Sequence, residues 1–161
     1  MIPIRVYRAD LDLLSERASF SLLDEIEKNR AAGISNRSAR HEFVKGRALL
    51  RLLLSKHTGR PAGTFEFATG ENGKPVLLGS HDLHFNVSHS DGAALVAIAS
   101  AEIGVDIERI DGSVDYAGVA QSVFSRSEIE MLREASDARR GEVFFSIWTR
   151  KEAYLKATGA G

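Results

Sequence analysis

The sequence predicts an α+β fold, because it combines the hydrophobic periods of strands and of helices. Residues 94–99 and 103–109 are short apolar or alternating segments, which are typical of strands. Residues 38–57 and 139–157 repeat apolar side chains at the spacing of amphipathic helices. With 161 residues, 43% of them hydrophobic, the chain is long enough for one large domain or two small lobes.

The predicted elements follow one another in a simple order. A strand near 2–8 precedes helices near 20–31 and 38–57, and loops are expected at 59–63 and 70–75. Further strands are predicted at 76–78, 84–87, 94–99 and 103–109. The Asp91-Gly92 pair predicts a tight hairpin turn between two of them. Helices near 115–121, 126–135 and 139–157 complete the chain, and Ser125 is the expected N-cap of the second.

Asp106 and Glu108 are two apart in a segment whose apolar residues alternate with polar ones. In a strand, both carboxylates would project from one face while Val105 and Ile107 enter the core. Two such oxygen ligands suit Mg²⁺, which takes one or two carboxylates and fills its shell with water and substrate phosphate. The alternative is a solvated strand face with Arg109 as the counter-charge.

The last predicted helix carries a second candidate pair, Glu152 and Lys156. They are four residues apart and share a face, and Glu152 lies about 40° around the helix from Trp148, at the edge of the apolar stripe. A partly desolvated carboxylate there, followed by the break at 159–161, favours a functional site. An ordinary surface ion pair is the alternative.

Charges are unevenly distributed along the chain although the net charge is only −1. Residues 1–80 carry 13 basic and 9 acidic side chains, whereas residues 81–161 carry 8 and 13. Between positions 36 and 60, Glu42 is the single acid among basic residues. This basic stripe predicts a polyanionic partner. The acidic second half and the lack of a zinc-finger pattern disfavour nucleic acid, so a small phosphorylated ligand is the better match.

Composition also limits the chemistry and the compartment. The sequence contains no cysteine, which excludes disulfides, thiolate catalysis and Cys-ligated metals. Its first residues lack the pattern of a signal peptide, and no apolar run is long enough to cross a bilayer. We therefore expect a cytoplasmic protein with no membrane partner.

Four motifs occur in an informative order: GKP at 73–75, FNVSH at 85–89, GVDIE at 104–108 and WTRKEAYLK at 148–156. In order and spacing they closely resemble the 4′-phosphopantetheinyl transferases, specifically the pseudodimeric type that activates peptide and polyketide synthetases. The resemblance implies two pseudo-symmetric α/β lobes, with 1–100 as the first and 101–161 as the start of the second. Members are usually longer, so we expect the second lobe to be truncated.

The resemblance also implies a reaction. It is the Mg²⁺-dependent transfer of 4′-phosphopantetheine from coenzyme A to a serine of an acyl or peptidyl carrier protein, with release of 3′,5′-ADP. A monomer is expected for the full-length type, and association with another chain is open for a truncated one. Two alternatives stay open: an Mg²⁺-dependent hydrolase of a coenzyme A-like diphosphate, and a non-catalytic module that binds coenzyme A or the carrier.

Residue roles follow from the same resemblance. Asp106, Glu108 and Glu152 would hold Mg²⁺, Glu152 could alternatively act as base, and Lys156 would act on the diphosphate. The remaining candidates would hold coenzyme A: Arg40, Arg47 and Arg51 its 3′-phosphate, and Lys74, Ser88 and His89 its phosphates.

Overall fold

An antiparallel sheet lies at the centre of the structure, a computed structural model that describes residues 3–70, 73–80 and 82–160. Within these residues the strands are β1 (Arg5–Asp10), β2 (Phe67–Thr69), β3 (Pro75–Leu77), β4 (His84–Ser90) and β5 (Ala93–Ala99). The helices are α1 (Glu16–Leu22), α2 (Glu25–Gly33), α3 (Arg37–Thr58), α4 (Tyr116–Val123), α5 (Arg126–Glu134) and α6 (Asp137–Thr158). The predicted α+β class is therefore confirmed.

The sheet has the order β1-β5-β4, with antiparallel neighbours, and β2 pairs with β3 in a separate hairpin. The register places Tyr7, Val96 and Val87 side by side across the sheet. That face packs on α3, where Leu50 and Leu54 are fully buried with Phe85 of β4 and Ile98 of β5. The principal core thus lies between the sheet and α3.

The helices after the sheet form a second core. Phe144 and Ile147 of α6 pack against α4 and α5, and the Phe144 ring stacks on Phe124 and Trp148. Ser125 caps α5 through a reciprocal pair of hydrogen bonds with Glu128. The predicted cap is therefore confirmed, as are helices close to 38–57, 115–121 and 139–157.

One predicted helix needs correction, and one strand was missed. The helix predicted at 20–31 is instead two helices. Leu23 and Asp24 have extended backbone between them, and Asp24 begins the second helix by forming a capping box with Glu27. Strand β2 was not predicted. The hairpin at Asp91-Gly92 is confirmed, since both residues have positive φ angles, 50° and 78°. Residue 2 of the first predicted strand, 71–72 of the second loop and 161 lie outside the described residues.

The strand predicted at 103–109 is wrong. In the described part of the chain, no backbone-to-backbone hydrogen bond joins this segment to any strand. Val105 and Ile107 are only half-buried. We call residues 103–109 the carboxylate segment; it crosses from the sheet to the helices without becoming part of either.

Candidate functional site

Side chains of β4 hold the carboxylate segment by its backbone. Asn86 Oδ1 accepts a hydrogen bond from the Val105 N–H at 2.9 Å, and Ser90 Oγ accepts one from the Arg109 N–H at 3.1 Å. Between them, Ser88 Oγ accepts a longer one, at 3.4 Å, from Ile107. Because alternate residues of a strand point to one face, these three acceptors form a row opposite the apolar face of β4.

The same serines hold the two carboxylates. Ser88 Oγ donates to Asp106 Oδ1 at 2.9 Å, and Ser90 Oγ donates to Glu108 Oε2 at 3.1 Å. Two serines that are two apart therefore orient two acids that are two apart. The two carboxylates lie on one side of the segment, as the alternation predicted, and that side faces β4. Side chains and not a β-ladder position them.

Asp106 forms the centre of a buried polar cluster. Its Oδ1 lies 2.5 Å from Lys156 Nζ, which also donates to Ser88 Oγ at 3.1 Å. The Asp106 side chain is only 2% exposed, and its Oδ2 is buried without a hydrogen-bond partner among the described residues. A buried oxygen without a partner is costly, so Oδ2 is available for a cation or donor.

Gly104 allows α6 to reach this cluster. A Cβ atom at this position would lie 1.9 Å from the Ala153 carbonyl oxygen and 2.5 Å from the Ala157 nitrogen, both in the backbone of α6. The segment and the helix are therefore in backbone contact at Gly104. This contact brings the helix residue Lys156 within reach of Asp106.

Glu152 and Glu108 have fewer partners. Glu152 is half-buried on α6, one turn before Lys156, and no ion pair joins the two in the described chain. The surface-pair alternative is thus not what the structure shows. The described residues contain no group of three or more His, Cys, Asp or Glu side chains arranged as a metal site. Carboxylate oxygens and the unpaired Oδ2 nevertheless match the donors that Mg²⁺ prefers.

The three arginines of the basic helix have three different environments. Arg51 is fully buried and donates to Asp24, Glu27 and the carbonyl oxygens of Ala62 and Phe65. It has no exposed surface for the predicted 3′-phosphate, and its bonds stabilise the junction of α2, α3 and the Ala62–Thr64 turn. Arg40 is exposed.

Arg47 lines a cleft together with Arg30, His89 and Phe43. The Phe43 ring lies 5.6 Å from the Arg47 guanidinium carbon and 5.4 Å from that of Arg30. Burial lowers the pKa of Arg47, and the nearby Glu27 carboxylate opposes that shift. Arg47 Nε lies 3.9 Å from Glu27 Oε1, and a guanidinium carries five N–H donors, so donors remain that suit a phosphate group in the cleft.

Lys74 and His89 each have a carboxylate partner. Lys74 Nζ lies 2.5 Å from Glu102 Oε2 and also reaches the carbonyl oxygens of Ile103 and Ala157. It therefore ties the start of the carboxylate segment to the end of α6. The hydrogen bond from Lys74 to Glu102 is the main cause of the lowered pKa of Glu102. The His89 ring lies 3.1 Å from Glu42, which also accepts from the Gly92 N–H.

Sequence reasoning did not identify Arg30, Asn86 or Ser90. The alternation of Asn86, Ser88 and Ser90 on a strand was a usable signal for the last two, because it predicts one polar face. Arg30 offered no local signal: it lies on α2, and only the packing of α2 against α3 brings it beside Arg47.

Family models match almost the whole chain. The model described as "4'-phosphopantetheinyl transferase, N-terminal" matches residues 15–103, and that of the "4'-phosphopantetheinyl transferase superfamily" matches residues 102–161. The first covers more than half of the sequence, and the chain belongs to the 4′-phosphopantetheinyl transferase superfamily. The predicted family is thereby confirmed.

Individual relatives agree with this assignment. The 4'-phosphopantetheinyl transferase HetI of Nostoc sp. is 39% identical over 76% of this chain and 53% of its own length. The 4'-phosphopantetheinyl transferase Sfp of Bacillus subtilis is 31% identical over 75% of this chain and 53% of its own length. AcpT of Escherichia coli K12 is 38% identical over 74% of this chain and 58% of its own length. The chain spans about half the length of these curated relatives. A solved holo-[acyl-carrier-protein] synthase of Thermotoga maritima is 26% identical over 70% of this chain and 71% of its own, with a TM-score of 0.44.

No helix in the described part of the chain is long and apolar enough to cross a membrane.

Proposed function

We propose that the chain transfers 4′-phosphopantetheine from coenzyme A to a serine hydroxyl of an acyl or peptidyl carrier protein and releases 3′,5′-ADP. The observation that carries this proposal is Asp106: a buried carboxylate with an unpaired oxygen, beside a lysine, in a chain of this family. Such a group suits a reaction on a diphosphate, where catalysis consists mainly of positioning and charge stabilisation.

The basic cleft would bind the nucleotide end of coenzyme A. Arg30 and Arg47 supply two guanidinium groups, each within 5.6 Å of the Phe43 ring, and His89 lies at the same cleft. A 3′-phosphate there would receive charge-assisted hydrogen bonds from both arginines. Arg40 is exposed on the same helix and would contribute at the rim. Lys74 and Ser88 would reach the diphosphate only by giving up part of their present bonds.

Asp106 and Glu108 would hold Mg²⁺, with Glu152 in one of two roles, as third ligand or as base. The ion would supply positive charge for the diphosphate oxygens. The carrier serine oxygen forms a new bond to the β-phosphorus while the bond from that phosphorus to the oxygen of 3′,5′-ADP breaks. The serine proton passes to Glu152 or through water to solvent. Lys156 would donate to the leaving phosphate, whose negative charge increases as the bond breaks.

A transfer assay on the 161-residue chain tests the proposal. The chain is incubated with coenzyme A, Mg²⁺ and an apo carrier protein, and the intact mass of the carrier is measured. We expect the carrier to gain one phosphopantetheine and 3′,5′-ADP to appear in equal amount. A carrier with its serine replaced by alanine is the control.

Two results would contradict transfer. Release of free phosphopantetheine without any carrier would identify a hydrolase. Binding of coenzyme A without a product of either kind would leave a non-catalytic module.

A further inference from the structure

Asp106 and Lys156 form an ion pair whose two side chains differ in solvent exposure. The carboxylate is 2% exposed and is fixed by Ser88, whereas the Lys156 side chain is 32% exposed and lies in the last turn of α6. A lysine ammonium on a flexible four-carbon stem can move without disturbing the backbone. The carboxylate is therefore the fixed side of the pair and the lysine the movable side.

This pairing leaves part of the local negative charge uncompensated. Among the described residues, Asp106 Oδ2 has no hydrogen-bond partner, and neither Glu108 nor Glu152 takes part in an ion pair. A single ammonium satisfies only Oδ1, at 2.5 Å. A divalent cation brings twice the charge and can bind oxygens that the lysine does not reach.

We propose that Lys156 is a resident counter-ion of Asp106 that a divalent cation displaces. Metal binding to Asp106 would free the Lys156 ammonium from Oδ1, and the ammonium would then turn to the diphosphate of the bound substrate. The inference rests on the proposed function and adds an order of binding to it. The metal binds first and releases the lysine, which then contacts the substrate. No covalent bond changes in this exchange.

The exchange has a thermodynamic signature. Because Lys156 and the metal compete for one carboxylate, the lysine weakens metal binding in the absence of coenzyme A. Once the metal is bound, the released ammonium strengthens binding of the diphosphate. Removing the lysine should therefore strengthen binding of the metal and weaken binding of the diphosphate. A lysine that stays on Oδ1 would also repel the metal, so the position of the lysine has to be measured as well.

Calorimetric titration with Mg²⁺ measures the first half of the signature. We expect Lys156→Met to bind Mg²⁺ about tenfold more tightly than wild type without coenzyme A, within the usual range of coupling between two ligands. With Mg²⁺ saturating, the same variant should bind coenzyme A more weakly. Lys151→Met is the matched control, because Lys151 lies on the same helix but pairs with Glu128 at 2.9 Å. It should resemble wild type in both titrations.

The position of the lysine can be followed directly by NMR. The ε-methylene signals of Lys156 should shift on addition of Mg²⁺, while those of Lys151 stay unchanged. Tight Mg²⁺ binding that is indifferent to Lys156→Met, with no shift of Lys156, would overturn the exchange and leave the proposed transfer intact. Failure of both wild type and Lys156→Met to bind Mg²⁺ would overturn the exchange and also the metal part of the proposed function.

Discussion

The two faces of β4 differ in what they hold and in how they hold it. Phe85 and Val87 pack into the core against α3, where dispersion and the hydrophobic effect act without directional bonds. Asn86, Ser88 and Ser90 use directional hydrogen bonds to fix a segment that has no ladder of its own. Because side chains alternate along β4, one face of the strand contributes to the stability of the core and the other face positions the site.

The largest expected effect comes from the apolar face. Phe85→Ala removes a ring that is 3% exposed and makes an edge-to-face contact with Phe67, so it should lower the free energy of unfolding by about 3 to 5 kcal/mol. Denaturant unfolding measures this loss. Val6→Ala on β1, where the side chain is 55% exposed, is the control and should change it by roughly 0.5 kcal/mol or less. Equal losses in the two variants would contradict the division between the faces.

The next effect concerns the polar face. Asp106→Asn keeps the shape of the side chain but removes its charge, so transfer activity should fall roughly 10²- to 10³-fold, as on loss of one electrostatic group in an active site. Circular dichroism should show an intact fold. Asp111→Asn, an acid outside the cluster, should retain wild-type turnover. Unchanged turnover in Asp106→Asn would remove the carboxylate from the mechanism.

A smaller effect is expected in the basic cleft. Arg47→Met should weaken the binding of coenzyme A by about 1.5 to 3 kcal/mol, the usual range for a hydrogen bond to a charged group. Dephospho-coenzyme A lacks the 3′-phosphate, so its affinity should be almost insensitive to the change. Arg37→Met, at the start of the same helix, is the protein control. Equal losses for both ligands would refute the assignment of the phosphate to Arg47.

The smallest expected effect is a pH dependence at the tie between Lys74 and Glu102. The hydrogen bond from Lys74 lowers the pKa of Glu102 below its ordinary 4.5, so the folded state prefers the charged carboxylate. Its contribution to stability is therefore present above pH 4.5 and is lost as the pH falls through the lowered folded value. Unfolding curves of wild type and Glu102→Gln should diverge above pH 4.5 and converge in acid. A constant difference at all pH values would exclude this linkage.

Local sequence signals predicted the hairpin and the helices well, except for the single helix at 20–31, which is two helices. The cap at Ser125 and the Asp91-Gly92 turn depend on bonds between residues only a few positions apart, and both are as expected. The segment at 103–109 was misassigned for a physical reason. Alternation indicates only that successive side chains point to opposite sides, whereas a strand also requires backbone partners in a sheet. Here side chains of β4 accept the backbone hydrogen bonds of the segment instead.

The arginines of α3 show the same limit for the site. Arg47 and Arg51 are four apart on one helix and are indistinguishable by pattern. Arg51 is buried because Asp24, Glu27 and the carbonyl oxygens of Ala62 and Phe65 surround it, and these partners come from distant parts of the sequence. Only tertiary packing separates a structural arginine from one at a cleft.

The contact at Gly104 also determines which alignment of the segment is allowed. The acceptors on β4 recur every second residue, so sliding the segment by two residues would present equivalent N–H groups to the same side chains. Such a slip would place Asp106 or Glu102 against α6, where a Cβ would overlap the helix backbone. The acceptors on β4 therefore allow only alignments that differ by two residues. Of these, the close contact with α6 selects the one that places a glycine, Gly104, against the helix.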